Sequence, residues 1–265
     1  MDLTYGERVV DAEQGITQGA LASYYAAVAT AMLPHIAGRP LSVVRRDGAV
    51  PHSVIGDERG LMGLVEEFAL EIRTSNAHAD DLEHPDRVAF DLDAGENVEF
   101  GEVARAAKVL RALFHGLDLE SFAMTRGPAG LDVIVPIRAE LGWDDVHEFA
   151  TTVAKTLVAA SPTRYAASEP DAKNKVVVRT SGERGTAFVA PYSTQLLSNA
   201  TVALPAFWHE LEALDPAAQT PAEVAERVQA LPSDPWQRAV GLDQRLTIER
   251  RHALTVALER ALAAD

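Results

Sequence analysis

The sequence predicts an α+β fold of mixed β-sheets flanked by helices, with an added C-terminal helix. Three observations lead there. Apolar residues recur at helical spacing in some segments and alternate with period two in others, and the two kinds of segment are interleaved along the chain. With 265 residues, 47% of them hydrophobic and 24% charged, the chain can bury a substantial core in one large domain or two small ones. No repeat or low-complexity tract stands out.

After a turn at Gly15, Thr17 caps a helix in "TQGALASYYAAVATAMLPHIAGRP". Leu21, Tyr24, Val28 and Met32 share one face of it, and Gly38 and Pro40 end it. "LSVVRR" reads as a short strand, and "GDERGLMGLVEEFALEI" as a second helix with Leu61, Leu64, Val65 and Phe68 on one face. Beyond the polar connector "DDLEHPDR", the strand "RVAFDLD" puts Val88, Phe90 and Leu92 on one side and Ala89, Asp91 and Asp93 on the other. The two carboxylates therefore point the same way, just before a glycine turn. A helix follows over roughly 98–116, then strands "SFAMT" and "LDVIVPI" joined by "RGPAG", then a helix from about Trp143 to Ala160. "KVVVRT" and "TAFVAPY" flank "SGERG" as a β-hairpin. Short helices and a Pro-rich stretch ending at "LPSDPWQ" lead to a final amphipathic segment with Leu242, Leu246, Leu254, Leu258 and Leu262 near helical spacing.

Charge and composition exclude several functions. The 39 acidic against 24 basic side chains give a formal charge of -15, which repels phosphate backbones and makes DNA binding doubtful. With no cysteine there is no disulfide, no thiolate nucleophile and no Cys-type zinc site. The histidines show neither H-E-x-x-H nor H-x-x-E-H spacing, and Ser181 and Ser193 lie in no nucleophile elbow. The first residues lack a signal-peptide layout, and no apolar stretch reaches the length of about 18 residues that a membrane span needs. The expectation is a soluble cytoplasmic protein with no membrane partner.

Two carboxylates on one face at a strand end are a standard way to hold Mg²⁺ or Mn²⁺, because hard cations want oxygen ligands and nucleotidyl transfer uses metals that bridge nucleophile and triphosphate. On its own, D-x-D is more often a solvated strand end. The surroundings add to it. "DDLEHPDRVAFDLD", with "GITQGALASYYAAVATAMLPHIAGRPLSVVR" upstream and "FVAPYS" downstream, closely resembles the polymerase domain of bacterial ligase D, in the archaeo-eukaryotic primase superfamily. The resemblance runs from about residue 5 to Trp236 and implies a primase-polymerase-like domain over 1–236, shortened near residues 47–56, followed by a helical extension over 237–265. It implies mixed sheets around an active-site cleft, and template-dependent or end-filling nucleotide addition during non-homologous end joining, with Mn²⁺ or Mg²⁺.

Carried over residue by residue, the family's first two metal aspartates fall on Asp91 and Asp93, and counting back from "APYS" puts the third at Val178, which cannot bind a metal. The family's nucleotide loop S-G-G-K-G-L-H falls on "RGPAGLD". There Arg126 takes the serine position, Pro128 a glycine, Ala129 the lysine and Asp132 the histidine, while Gly127 and Gly130 keep their glycines. Pro128 removes a backbone N–H, and Asp132 puts an anion where a polyphosphate should lie. Gln195 and Gln18 stand where the family carries basic residues.

Three readings follow. The chain is a degenerate polymerase-like protein with an accessory role in end joining or repair, working beside a DNA-repair ligase or polymerase. Alternatively it is an active primase-polymerase nucleotidyltransferase using Asp91 and Asp93, with Asp132 as a relocated third carboxylate. In the third, the scaffold is reused as a protein-interaction module, with the C-terminal helix available for a partner or a homo-oligomer.

Overall fold

A computed structural model describes residues 8–11, 15–52, 54–168, 172–181, 183–195 and 201–263. Most of the N-terminal stretch read for a signal, Gly182 of "SGERG" and the last two residues of the C-terminal extension lie outside the described residues.

The chain opens with a small ribbon of β1 (Val9–Asp11) and β2 (Ile16–Thr17), then α1 (Gln18–Ile36). The Thr17 hydroxyl accepts the Ala20 N–H at 3.2 Å and fixes the start of α1, as its sequence position foretold. The hairpin β3 (Leu41–Arg45) and β4 (Gly48–His52) leads to α2 (Glu58–Glu66), capped by the Asp57 carboxylate on the Gly60 N–H at 2.8 Å. Next come β5 (Glu71–Ser75), β6 (Arg87–Ala94), α3 (Phe100–Gly116), β7 (Phe122–Arg126), β8 (Gly130–Pro136) and α4 (Trp143–Ala160). The remainder comprises β9 (Tyr165–Ala166), β10 (Val176–Thr180), β11 (Ala187–Val189), β12 (Pro205–Ala206), α5 (Pro221–Ala230) and α6 (Ile248–Ala263).

Two larger sheets organise the molecule. The first has strand order β12-β7-β8-β6-β10-β9 and the second β11-β5-β3-β4. Alternation along β6 decides what each face of the first sheet does. Val88, Phe90 and Leu92 pack with Leu131, Val133, Val176 and Val178 against α3 and α4. The opposite face carries Ala89, Met124 and Ile134, which meet Phe188 of β11 and Trp236 between the sheets. A separate core joins α1 and α2 to the second sheet, and both Tyr24 and Tyr25 are buried in it. The Tyr24 hydroxyl donates to the Tyr192 carbonyl at 2.7 Å, and Tyr25 shares a 2.9 Å hydrogen bond with Thr194.

Arg87, buried at the start of β6, clamps these layers together. Its guanidinium donates to the His35 carbonyl at 3.0 Å and the Thr74 hydroxyl at 2.9 Å, and lies 4.6 Å from the Phe188 ring centre. α1, β5, β6 and β11 thus share one cation.

Three elements differ from the sequence reading. The second helix stops at Glu66 because Phe68 takes a left-handed conformation, φ 63°, and "EIRTS" continues as β5. β10 and β11 do not form a hairpin: β10 pairs with β6 and β9, and β11 crosses to β5 in the other sheet. Of the C-terminal leucines, Leu242 and Leu246 precede α6; Leu242 packs near Trp236, and Leu246 joins the helix-side core. α6 lies on α4 of its own chain, with Leu254 buried and Arg251 paired to Asp145 at 2.7 Å. The apolar side that the sequence offered to a partner or homo-oligomer is therefore occupied at Leu254. No helix among the described residues is long and apolar enough to cross a membrane.

Candidate active site

Strand register places the functional side chains. Residues directly opposite on neighbouring antiparallel strands project from the same face. Asp91 of β6 faces Asp132 of β8 on one side and Arg179 of β10 on the other. Asp93 faces Gly130 and Val177. Asp132, put forward from sequence as a relocated third carboxylate, therefore does stand beside the aspartate pair.

Val178 does not. It pairs with Leu92, and its side chain lies in the core under α3 and α4. Val178 therefore cannot share the face of the aspartate pair, and the next position along β10 does, because one residue along a strand is a change of face. The residue of β10 that faces Asp91 is Arg179, so the position carries a cation and not merely an inert side chain.

Two guanidinium groups hold the carboxylates. Arg126, at the end of β7, donates from Nε to Asp132 Oδ1 at 2.7 Å and from Nη2 to Asp93 Oδ1 at 2.7 Å. Arg179 Nη2 takes the other oxygen of Asp93. Asp132 is wholly buried, whereas Asp93 keeps 23% of its side-chain surface exposed. Burial pushes Asp132 up to about 7, against the pull of Arg126 and with help from the neighbouring Asp91 charge. Burial raises Asp91 as well, opposed by Arg126. The three carboxylates keep Arg126 firmly protonated despite its own desolvation.

This donor set does not fit a divalent cation. Both oxygens of Asp93 and one of Asp132 are engaged by guanidinium groups. Two buried oxygens have no donor, Asp91 Oδ1 and Asp132 Oδ2, and they lie on directly opposed residues. One proton on such a pair removes the repulsion between like charges; a dication there would sit next to two fixed positive charges. Among the described residues no group of three or more His, Asp or Glu side chains is arranged to hold a metal ion.

The loop expected to cradle a nucleotide is closed in a similar way. Arg126 turns inward to the carboxylates, and the Gly127 N–H donates to Gln195 Oε1 at 2.7 Å. Gly130 lies against Asp93 and the Arg126 carbonyl, with a Cβ there only 2.5 Å from that carbonyl oxygen, so the hairpin tip requires glycine for packing. Gln18 lies away from the carboxylates and donates to the Val65 carbonyl at the end of α2, 3.2 Å away. Ser193 accepts the Ile72 N–H at 2.7 Å and is buried, a structural role. A cavity of about 620 Å³ between α1, α5 and residues 231–240 is lined by none of these residues.

Sequence reasoning missed Arg179. "KVVVRT" holds three valines in a row, so the strand shows no alternation that would tell inward from outward positions. A signal was available once β6 was read, because the strand partner of Asp91 must share its face.

The raised Asp132 gives a pH prediction. Below its ordinary value of 3.8 the group is protonated whether the chain is folded or not. Between 3.8 and about 7 the folded state keeps a proton that the unfolded chain has released, so stability falls as pH rises through this window. Denaturant midpoints of the wild type are expected to drop from pH 5 toward pH 8 more steeply than those of Asp132→Asn. Parallel curves for the two proteins would contradict this.

Comparison with known proteins identifies the frame around this cluster. The model of the LigD primase-polymerase domain matches residues 45–236. The chain is 27% identical to the multifunctional non-homologous end joining protein LigD of Pseudomonas aeruginosa, over 95% of this chain and 34% of that protein. It is 26% identical to the bifunctional LigD of Bacillus subtilis, over 69% of this chain and 30% of that protein. The chain thus spans about a third of the length of the curated relatives it matches. Among solved structures, the polymerase domain of Mycobacterium tuberculosis ligase D, in complex with DNA, superposes with a TM-score of 0.79 at 26% identity, covering 91% of this chain and 98% of that one. With a family model matched over most of its length and an architecture shared at that level, the chain belongs to the LigD primase-polymerase domain family.

Proposed function

We propose that this chain is a degenerate member of its family: it keeps the polymerase scaffold, lacks ordinary templated nucleotide addition, and serves an accessory role in DNA end joining or repair beside a catalytic ligase or polymerase. One observation carries the reading. Asp93, on the face where the family resemblance implies a metal, is engaged on both oxygens by Arg126 and Arg179. Phosphoryl transfer to a 3′ hydroxyl needs cations that bridge nucleophile and triphosphate, and ligands already paired to guanidinium groups cannot supply that clamp. The engaged N–H of Gly127 and the formal charge of -15 act in the same direction, against polyphosphate and against DNA. The names of the relatives supply the link to end joining.

The enzymatic alternative has one observation in its favour, the placement of Asp132 opposite Asp91, which gives three carboxylates on adjoining strands. It requires Arg126 to leave both Asp93 and Asp132. Primer extension on a gapped duplex at low salt, with Mn²⁺ and with Mg²⁺, separates the two readings. Addition by this chain is expected to be at least about a thousandfold slower than by a LigD polymerase domain run alongside, the scale of losing a major electrostatic element of a transition state. Efficient templated addition that disappears in an Asp91→Ala, Asp93→Ala variant would establish the enzyme instead.

A further inference from the structure

We propose that Arg126 and Arg179 are built-in replacements for a divalent cation, so that the carboxylate cluster is charge-compensated by the chain itself and folds without metal. This deepens the non-catalytic reading of the site. The argument rests on position and charge. Arg126 of β7 spans from Asp132 to Asp93, and Arg179 of β10 closes Asp93 from the other side, so two cations from the flanking strands engage carboxylates on the two central strands, β8 and β6.

The charge balance agrees. Three positions contribute to this cluster besides Asp91 and Asp93. The resemblance gives serine where Arg126 stands and histidine where Asp132 stands, and strand register moves the third carboxylate position to Arg179. Serine to arginine adds one positive charge, neutral histidine to aspartate removes one, and aspartate to arginine adds two. With all the carboxylates ionised, the net gain is two elementary charges, that of one divalent ion. The basic residues that the resemblance places at Ala129 and Gln18 belong to neither carboxylate contact, and Gln195 engages the Gly127 backbone instead.

A guanidinium is a suitable substitute for an ion in this setting. It stays charged, its planar fork matches carboxylate oxygens, and it loses less hydration than an ammonium on burial. Its partners are fixed by the strands, so no ligand has to be gathered from solution. Arg126 is mostly covered, and Arg179 keeps 39% of its side-chain surface exposed at the rim.

The test compares the wild type with Arg126→Ser, Arg179→Asp, which restores the pattern that the resemblance implies, and with Arg126→Gln, Arg179→Gln, which only removes the charge. Mn²⁺ uptake is followed by the loss of the free-ion EPR signal, and stability by thermal melting with and without Mn²⁺. The wild type is expected to take up no Mn²⁺ and to melt at the same temperature in its presence. Both variants are expected to melt lower without metal. Each should regain roughly 5 °C or more with the ion at a hundred times its dissociation constant, and lose that response when Asp91→Asn and Asp93→Asn are added. Uptake by the wild type that depends on Asp91 and Asp93 overturns the assignment. So does a lack of any Mn²⁺ response in both arginine variants, including variants that fail to fold with the ion present. The latter result would leave the primer-extension outcome untouched, whereas templated addition by the wild type would remove the non-catalytic reading by itself.

Discussion

Replacing Gly95 by alanine is expected to lower stability by about 4 kcal/mol or more, among the largest effects a single methyl group can have in this chain. Gly95 directly follows β6, two residues after Asp93, at the point where the loop preceding β10 crosses the strand end. A Cβ there would stand 2.5 Å from the Lys175 carbonyl oxygen and closer still to that of Ala172. Both are backbone atoms, so no side chain can turn aside. Relief requires shifting a crossing that is held by hydrogen bonds from Gly95 N–H to the Lys175 carbonyl and from Asn174 N–H to the Glu96 carbonyl, each 3.0 Å. Urea denaturation decides the matter, and a variant within about 1 kcal/mol of the wild type would show the crossing to be soft. Because the displaced segment borders the site, the surviving folded fraction should also show altered pairing of Asp93.

Arg87→Ala is expected to cost about 3 to 4 kcal/mol and to lower the melting temperature by roughly 10 °C for a chain of this size. The loss has two parts. Truncation takes the donor away from the carbonyls of His35 and Ser75 and from the Thr74 hydroxyl, acceptors that are buried or partly buried. It also opens a void beneath the Phe188 ring, on which the guanidinium packs. Arg87→Lys should recover only part of the stability, since one ammonium cannot serve three acceptors on two elements from the same position. Differential scanning calorimetry of the three proteins measures both changes, and full recovery by lysine would show that charge alone is what the site requires.

Much of the fold was legible because its strongest signals are periodic. Thr17, the helical spacing through Met32, the alternation in "RVAFDLD" and the helix from Trp143 to Ala160 each depend on local chemistry, and each stands where the pattern puts it. The errors fall where local chemistry is neutral and tertiary pairing decides. The helical reading of "GDERGLMGLVEEFALEI" runs past Glu66 because nothing in the sequence marks the left-handed turn at Phe68. "KVVVRT" and "TAFVAPY" look like hairpin arms, yet each finds a better partner in a different sheet. For the site, the direction of Asp91 and Asp93 could be read from alternation, and the proximity of Asp132 from strand order. The pairing of Arg126 and Arg179 with Asp93 could not, because it needs the register of four strands at once.

The ion pairs from Arg126 to Asp132, Arg126 to Asp93 and Arg179 to Asp93 run sideways across β7, β8, β6 and β10. A slip of one residue between β6 and either neighbour would turn Asp93 into the helix-side core and release both guanidinium groups into solvent, so the cluster penalises every misaligned pairing of the central strands. Strand ends at a cleft are ordinarily where a sheet frays and breathes. Here ion pairs contributed by four strands tie that rim together, which opposes such fraying.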